Sequence, residues 1–381
     1  MSKVIIEEKD IPVGKETPWP ICDDNGRVLL KTGSIISSKR QIDSLLMRGA
    51  CFIKEIKSLK DENELANNKP NGLEQTPFDR FHTIISKLSR IFAALDKNHP
   101  STHIKDRTAS LAKEIQDIFE ENSDAMLGAV HLIFEYDYTL VHPVHVSILC
   151  EMIGKAAGLS KEKRISNICA ALTCNFSMNQ LQEELQNQKG KLSERQLKEV
   201  QNHPKESTML LKKAGVEDKV WLRCILQHHE KIDKSGYPFG ASGDEISKEA
   251  KILAIADTYA AMVSARTYRD RMVPSDVLKE MFMGKGSHCD EELSLLFIRE
   301  LGVYPPGGFV SLVNGETAII TNRGEELLHP IVSSYISSKG AKYTKPYRRD
   351  CSLKPYAIKG ICKPDKRVGI DLNRIWHFDG H

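Results

Sequence analysis

The stretch from His228 to Gly240, HHEKIDKSGYPFG, carries two adjacent histidines, two acids and a Gly-Tyr-Pro turn. Imidazoles and carboxylates are ligands for hard and borderline metal ions, so the stretch reads as one part of a metal site. Such a site needs further ligands from elsewhere in the chain. His142 lies in the helical pattern YTLVHPVHV, which reads as amphipathic, with Val144, Ile148 and Met152 nearby. His203 precedes a proline in NHPKESTMLL, and Asp257 lies in the apolar run ILAIADTYAAM. A carboxylate among Ile, Leu and Ala is costly unless it is paired or bound to a metal. Inward-facing histidines and acids on different helices are how metal sites are built in bundles. Taken singly, each histidine reads as a capped or half-buried side chain. As a set with SGYP beside them, they point to a metal centre.

The elements that must position these residues are helical. FDRFHTIISKLSRIFAAL repeats apolar residues at Phe78, Phe81, Ile84, Ile85, Leu88, Ile91 and Phe92, a helical period. The same style continues through EKRISNICAALTCNF, SERQLKEVQNHPKESTMLLKKAG, DKVWLRCILQHHE and KEAKILAIADTYAAMVSAR. Consecutive helices without intervening strands indicate a bundle, expected over residues 78–298. Residues 1–56 read as a small α+β domain, with a hairpin around Gly33 and a short helix ending at Gly49. Residues 57–77 are polar and contain Pro and Gly, so they read as a linker. After LGVYPPGG the pattern alternates, and Asn314-Gly315 signals a hairpin. Residues 299–381 are expected to form a small β-rich domain with a basic tail.

The chain has 381 residues and a net charge of +3, too small by itself to imply a nucleic-acid or membrane partner. No apolar run approaches the roughly 20 residues of a membrane span, and the N-terminal run is too short for a signal peptide. Nine cysteines form no CxxC pair, which suits reduced thiols in the cytoplasm.

The segment HHEKIDKSGYPFGASGDEISKEAKILAIADTYAAMVSARTYR closely resembles the signature of the HD-GYP family, cyclic di-GMP phosphodiesterases. The resemblance extends over residues 126–285 and implies an HD-type helical bundle. It also implies a centre of two or three divalent metals, commonly iron or manganese, that hydrolyses cyclic di-GMP to pGpG or GMP. By that resemblance His142, His203, His228, His229 and Asp257 occupy ligand positions. Arg266 and Arg269, in RTYR, fall where the family places phosphate-binding cations, and a guanidinium fork suits phosphate. Tyr237 holds the signature loop or faces a base. Partners implied are cyclic di-GMP and, through the GYP surface, GGDEF-type or other signalling proteins. No GGDEF-like segment or receiver domain is evident in this chain.

The name-giving His-Asp pair is missing. Where the family has AALLHDIGK, this chain reads AALTCNFSM, so Cys174 and Asn175 replace the pair. Lys234 replaces a loop glycine, and Ala260 stands at a frequent aspartate position. Two divalent ions roughly 3.5–4 Å apart repel by about 17 kcal/mol even at an effective dielectric of 20. A bridging carboxylate helps offset this, and neutral Asn175 does not. Cys174 could ligate a softer metal as thiolate, but also reads as a small core residue. The metal position that draws on His142 and Asp257 is therefore depleted. The position that draws on His203, His228 and His229 keeps three imidazoles. The chain is expected to be an HD-GYP protein with impaired or lost hydrolysis. The alternative is a non-catalytic cyclic di-GMP sensor or protein-interaction module.

Overall fold

A computed structural model describes residues 2–5, 21–22, 28–30, 42, 51–54, 75–96, 103–188, 190–264, 272–283, 290–363 and 370–378. The chain divides into two compact units, Met1–Glu74 and Gln75–His381. In the first unit, β1 (Ser2–Ile5), β2 (Ile21–Cys22), β3 (Val28–Leu30) and β4 (Cys51–Lys54) form an antiparallel sheet in the order β1-β4-β2-β3. The Gly33 turn, most of the helix expected after it, and residues 57–74 of the expected linker lie outside the described residues.

The second unit is built on helices α1 (Pro77–Asp96), α2 (Ile104–Glu121), α3 (Ser123–Leu132), α4 (Tyr138–Ala156) and α5 (Lys161–Thr173). A 3-10 turn, Phe176–Met178, leads into α6 (Asn179–Asn187). Then follow α7 (Glu194–Lys213), α8 (Lys219–Gln227), α9 (Lys248–Val263), α10 (Pro274–Met283) and α11 (Glu291–Leu301). The mainly α class read from the sequence is borne out. Local chemistry starts these helices where they start. Thr76 and Asp79 bond each other's backbone N–H at the head of α1, and Ser193 and Gln196 do the same for α7. Asp218 accepts from the N–H groups of Val220 and Trp221 at the head of α8. The periodic apolar residues of α1, Phe78 through Leu95, are all buried.

Helix α4 corrects the sequence reading. Instead of one apolar face it is buried on all sides, because it runs through the middle of the bundle between α5 and α9. Its one buried acid, Glu151, is paired with Arg164 and accepts from Gln116 at 3.1 Å. The helix stops at Gly158, whose positive φ of 74° lets the Leu159 N–H reach back to the Gly154 carbonyl.

The C-terminal strands are β5 (Phe309–Leu312), β6 (Thr317–Asn322), β7 (Ile331–Ile336), β8 (Lys342–Asp350) and β9 (Ile358–Ile361). They form an antiparallel sheet in the order β8-β7-β6-β5-β9. The β5–β6 hairpin turns at Asn314-Gly315, with Gly315 at φ 87°. Val310, Leu312, Ala318, Ile320 and Val332 form a small core of their own. Ile319 and Tyr335 instead join the helical core, so sheet and bundle share one compact unit. The short α12 (Leu372–Ile375) is followed by Trp376, which lies against Gly128 of α3 where no Cβ would fit. Among the described residues, no helix is long and apolar enough to cross a membrane.

His131 on α3 ties the sheet to the bundle. Its Nδ1–H donates to the Pro306 carbonyl at 2.6 Å, and its Nε2 accepts from the Tyr259 hydroxyl at 2.7 Å. Burial lowers its pKa from 6.5 to about 4. In the unfolded chain this imidazole protonates as the pH falls through about 6.5, whereas in the folded chain it resists until about 4. Its share of stability is therefore full above pH 6.5 and declines between 6.5 and 4, by something on the order of 3 kcal/mol. Thermal unfolding at pH 7 and pH 5 should show a smaller drop for His131→Gln than for the unmodified chain.

Candidate metal centre

Two helix features orient the central imidazoles. Pro204, inside α7, has no N–H to give the carbonyl of Val200, four residues earlier. That free carbonyl accepts Nδ1–H of His203 at 2.6 Å. At the other position, α8 ends at Gln227, and the carbonyl of Ile225 in its last turn has no helical partner. It accepts Nδ1–H of His228 at 2.7 Å. A carbonyl only accepts, so both imidazoles carry their proton on Nδ1 and keep a lone pair on Nε2. Those two Nε2 atoms face each other at 3.2 Å. Two acceptors at that distance repel unless a cation lies near both.

His229 completes the group: one ligand atom from each of His203, His228 and His229 lies within 4.8 Å of the others. Its ring packs on His228 at 4.0 Å and on Tyr237 at 4.7 Å between centroids. Burial, together with the neighbouring His228, pushes His203 down to about 3. Burial likewise lowers His228, and burial with His228 lowers His229. All three are therefore neutral at physiological pH, with lone pairs available. Donor type, tautomer and protonation state fit a divalent ion.

Asp257, on α9, is held by His142 of α4, whose Nε2–H donates to Oδ1 at 2.9 Å. Burial would raise this carboxyl, but the bond from His142 outweighs it and holds it below the usual carboxylate range. Tyr138 stacks on the His142 ring at 4.7 Å and 15°. A cavity of about 520 Å³ opens over this group. His142, Asn175, His203, His229, Tyr237 and Asp257 all line it, so the fold brings most of the sequence-derived candidates together. His228 lies beside His203. Cys174 is not brought to this wall: it is buried, burial raises its thiol well above the ordinary range, and Sγ donates to the Ala171 carbonyl at 3.7 Å. Arg266 and Arg269 lie outside the described residues.

The signature loop is fixed by a residue whose role the sequence reading did not assign. Buried Glu230 accepts the N–H groups of Phe239 at 2.7 Å and Ala241 at 2.9 Å. The available signal was its place directly after the two histidines. Gly236 cannot be larger, because a Cβ there would lie 2.4 Å from the Lys231 nitrogen and 2.5 Å from the His229 carbonyl oxygen. Lys234 stands where the resemblance expects glycine, and its φ of 67° shows why glycine suits the position. Gly236→Ala should cost about 2 kcal/mol or more, since backbone beside His229 must move. Lys234→Gly should be neutral or stabilising by up to about 1 kcal/mol, as left-handed strain is relieved against a gain in unfolded-state freedom. Urea unfolding of both variants checks the pair.

Residues 83–293, more than half of the chain, match the HD domain family. A cyclic di-GMP phosphodiesterase of Pseudomonas aeruginosa is 27% identical over 291 residues, covering 76% of this chain and 66% of that protein. The 3'3'-cGAMP-specific phosphodiesterase 1 of Vibrio cholerae is 30% identical over 188 residues, covering 49% of this chain and 42% of that protein. The chain thus spans between 42% and 66% of the length of these curated relatives. Among solved structures, an HDG"Y"P protein from Bdellovibrio bacteriovorus shares the fold, with a TM-score of 0.54 at 16% identity over 79% of this chain and 99% of that one. With the family match running from α1 into α11, the chain belongs to the HD domain family and is a protein of the HD-GYP type.

Proposed function

We propose that this chain is a cyclic di-GMP signalling protein in which hydrolysis is impaired or lost while the ligand pocket is kept. The observation that carries the proposal is one pocket lined both by His203 and His229 of the imidazole cluster and by the neutral amide of Asn175. His203, His228 and His229 would hold one divalent ion, iron or manganese by family resemblance. Bound there, such an ion supplies positive charge opposite phosphoryl oxygens and makes nearby water more acidic.

The chain's own residues do the rest. Asp257 stays ionised, and His142 holds one of its oxygens in place. Asn175 brings no charge to offset a second ion. Tyr138 and Tyr237 offer ring faces at the pocket. Arg266 and Arg269 are assigned to the ligand's phosphates on the resemblance of RTYR. Phe239, at the end of the signature loop, is 61% exposed with Lys205 over its ring at 5.0 Å, which supports a contact with a signalling partner there. Cys150, Cys169, Cys174, Cys224, Cys351 and Cys362 are free thiols, in keeping with a cytoplasmic protein.

The test is to load the purified chain anaerobically with iron or manganese, add cyclic di-GMP, and follow pGpG and GMP by chromatography beside a Cys174→His, Asn175→Asp double variant. The expected result is ligand binding by both proteins, with turnover by the unmodified chain at least about tenfold slower. Equal turnover by the two proteins would contradict impaired hydrolysis.

A further inference from the structure

Beside its imidazoles the pocket is lined by amides. Asn175, Asn179 and Gln182 all line the cavity. They are spaced by four and then three residues, from just before the 3-10 turn into α6, which stacks them on one face. All three are half-buried. Farther along the same wall, Gln188 exchanges bonds with Gln196 at 2.7 and 3.3 Å. Asn179 and Gln182 border the cavity, and each carboxamide carries two donor hydrogens and an acceptor oxygen. The ring of Tyr138, stacked on His142, and the ring of Tyr237, packed on His229, share the same cavity. Lys191 is the one Lys or Arg among the described lining residues. Aromatic faces beside open amides suit a flat, uncharged ring with a hydrogen-bonding edge, which is how proteins hold a splayed base.

We propose that Asn179 and Gln182 form a base-reading wall that takes the hydrogen-bonding edge of one purine of a cyclic dinucleotide. The inference rests on the reading that this pocket takes a cyclic dinucleotide, and it adds a specificity. A carboxamide meets guanine with its oxygen toward N1–H and its N–H toward O6. Turned over, it meets adenine with its N–H toward N1 and its oxygen toward the N6 amine. The wall therefore admits either purine and disfavours pyrimidines, whose smaller rings reach it less well. The site should accept cyclic di-GMP and 3'3'-cGAMP with similar affinity.

Isothermal titration of the full, metal-loaded chain with cyclic di-GMP, 3'3'-cGAMP and cyclic di-UMP tests this. The two purine ligands should bind within about fivefold of each other, and cyclic di-UMP much more weakly. Asn179→Leu with Gln182→Met, near-isosteric and apolar, should weaken both purine ligands by roughly 10- to 100-fold, while metal content and unfolding midpoint stay unchanged. Gln182→Met alone should show part of the same loss. Unchanged affinity in the double variant, with the unmodified chain binding well, would overturn the base-reading wall and leave the proposed function standing. A preference above about fiftyfold for one purine ligand would overturn the relaxed specificity. Failure of the unmodified chain to bind any cyclic dinucleotide would overturn the functional reading itself, and the wall with it.

Discussion

Two imidazole nitrogens held lone pair to lone pair are the constraint on which the rest of the site depends. His203 and His228 each spend Nδ1–H on a helix carbonyl that the helix itself cannot use. One carbonyl is freed by a proline within the helix, the other by the helix ending. Neither ring can turn without leaving a buried carbonyl unsatisfied, at a cost of about 1–3 kcal/mol. The 3.2 Å approach of the two Nε2 atoms is therefore built into the backbone. Burial keeps both rings neutral, so protonation does not relieve the contact at physiological pH. A divalent ion does.

The surroundings are consistent with one such ion and poorly matched to two. Asp257 is the one carboxylate among the described lining residues of the pocket, and it is already bonded to His142. Asn175 adds an oxygen without charge, and the Cys174 thiol is turned to a backbone carbonyl. A second divalent ion nearby would meet repulsion that this donor set does little to offset. Meanwhile the loop that closes the site is held stiffly, by Glu230 on two backbone N–H groups and by the close backbone approach at Gly236. The reduced donor set is what supports the proposed impairment of hydrolysis.

Much of this was legible in the chain itself. The period of Phe78 to Phe92 located α1, and Asn314-Gly315 located the β5–β6 turn. The His-Pro dipeptide and the pair of histidines at a helix end marked the imidazoles that the fold gathers, and Asp257 stood out as a charge in an apolar run. What the sequence could not supply was orientation. Helix α4 reads as amphipathic because its Ser, Cys and Glu residues look like a polar face. They are buried instead: Glu151 is satisfied by Gln116 and Arg164 from other helices, and Ser147 bonds the Val144 carbonyl within its own helix. Whether Cys174 faces the pocket or the core turns on one rotation along α5 and could not be read from composition. The carboxamides of Asn179 and Gln182 look like ordinary surface residues until the fold puts them on the pocket wall.

The most direct test of the central claim is the metal content of the purified full chain. After exhaustive dialysis against metal-free buffer, elemental analysis should find close to one divalent ion per chain, and His203→Ala should lose it. Two tightly held ions would contradict the account by showing that Asn175 still supports a dinuclear centre. No retained ion, after loading with iron, manganese or zinc, would contradict it by showing that the facing imidazoles tolerate each other without one.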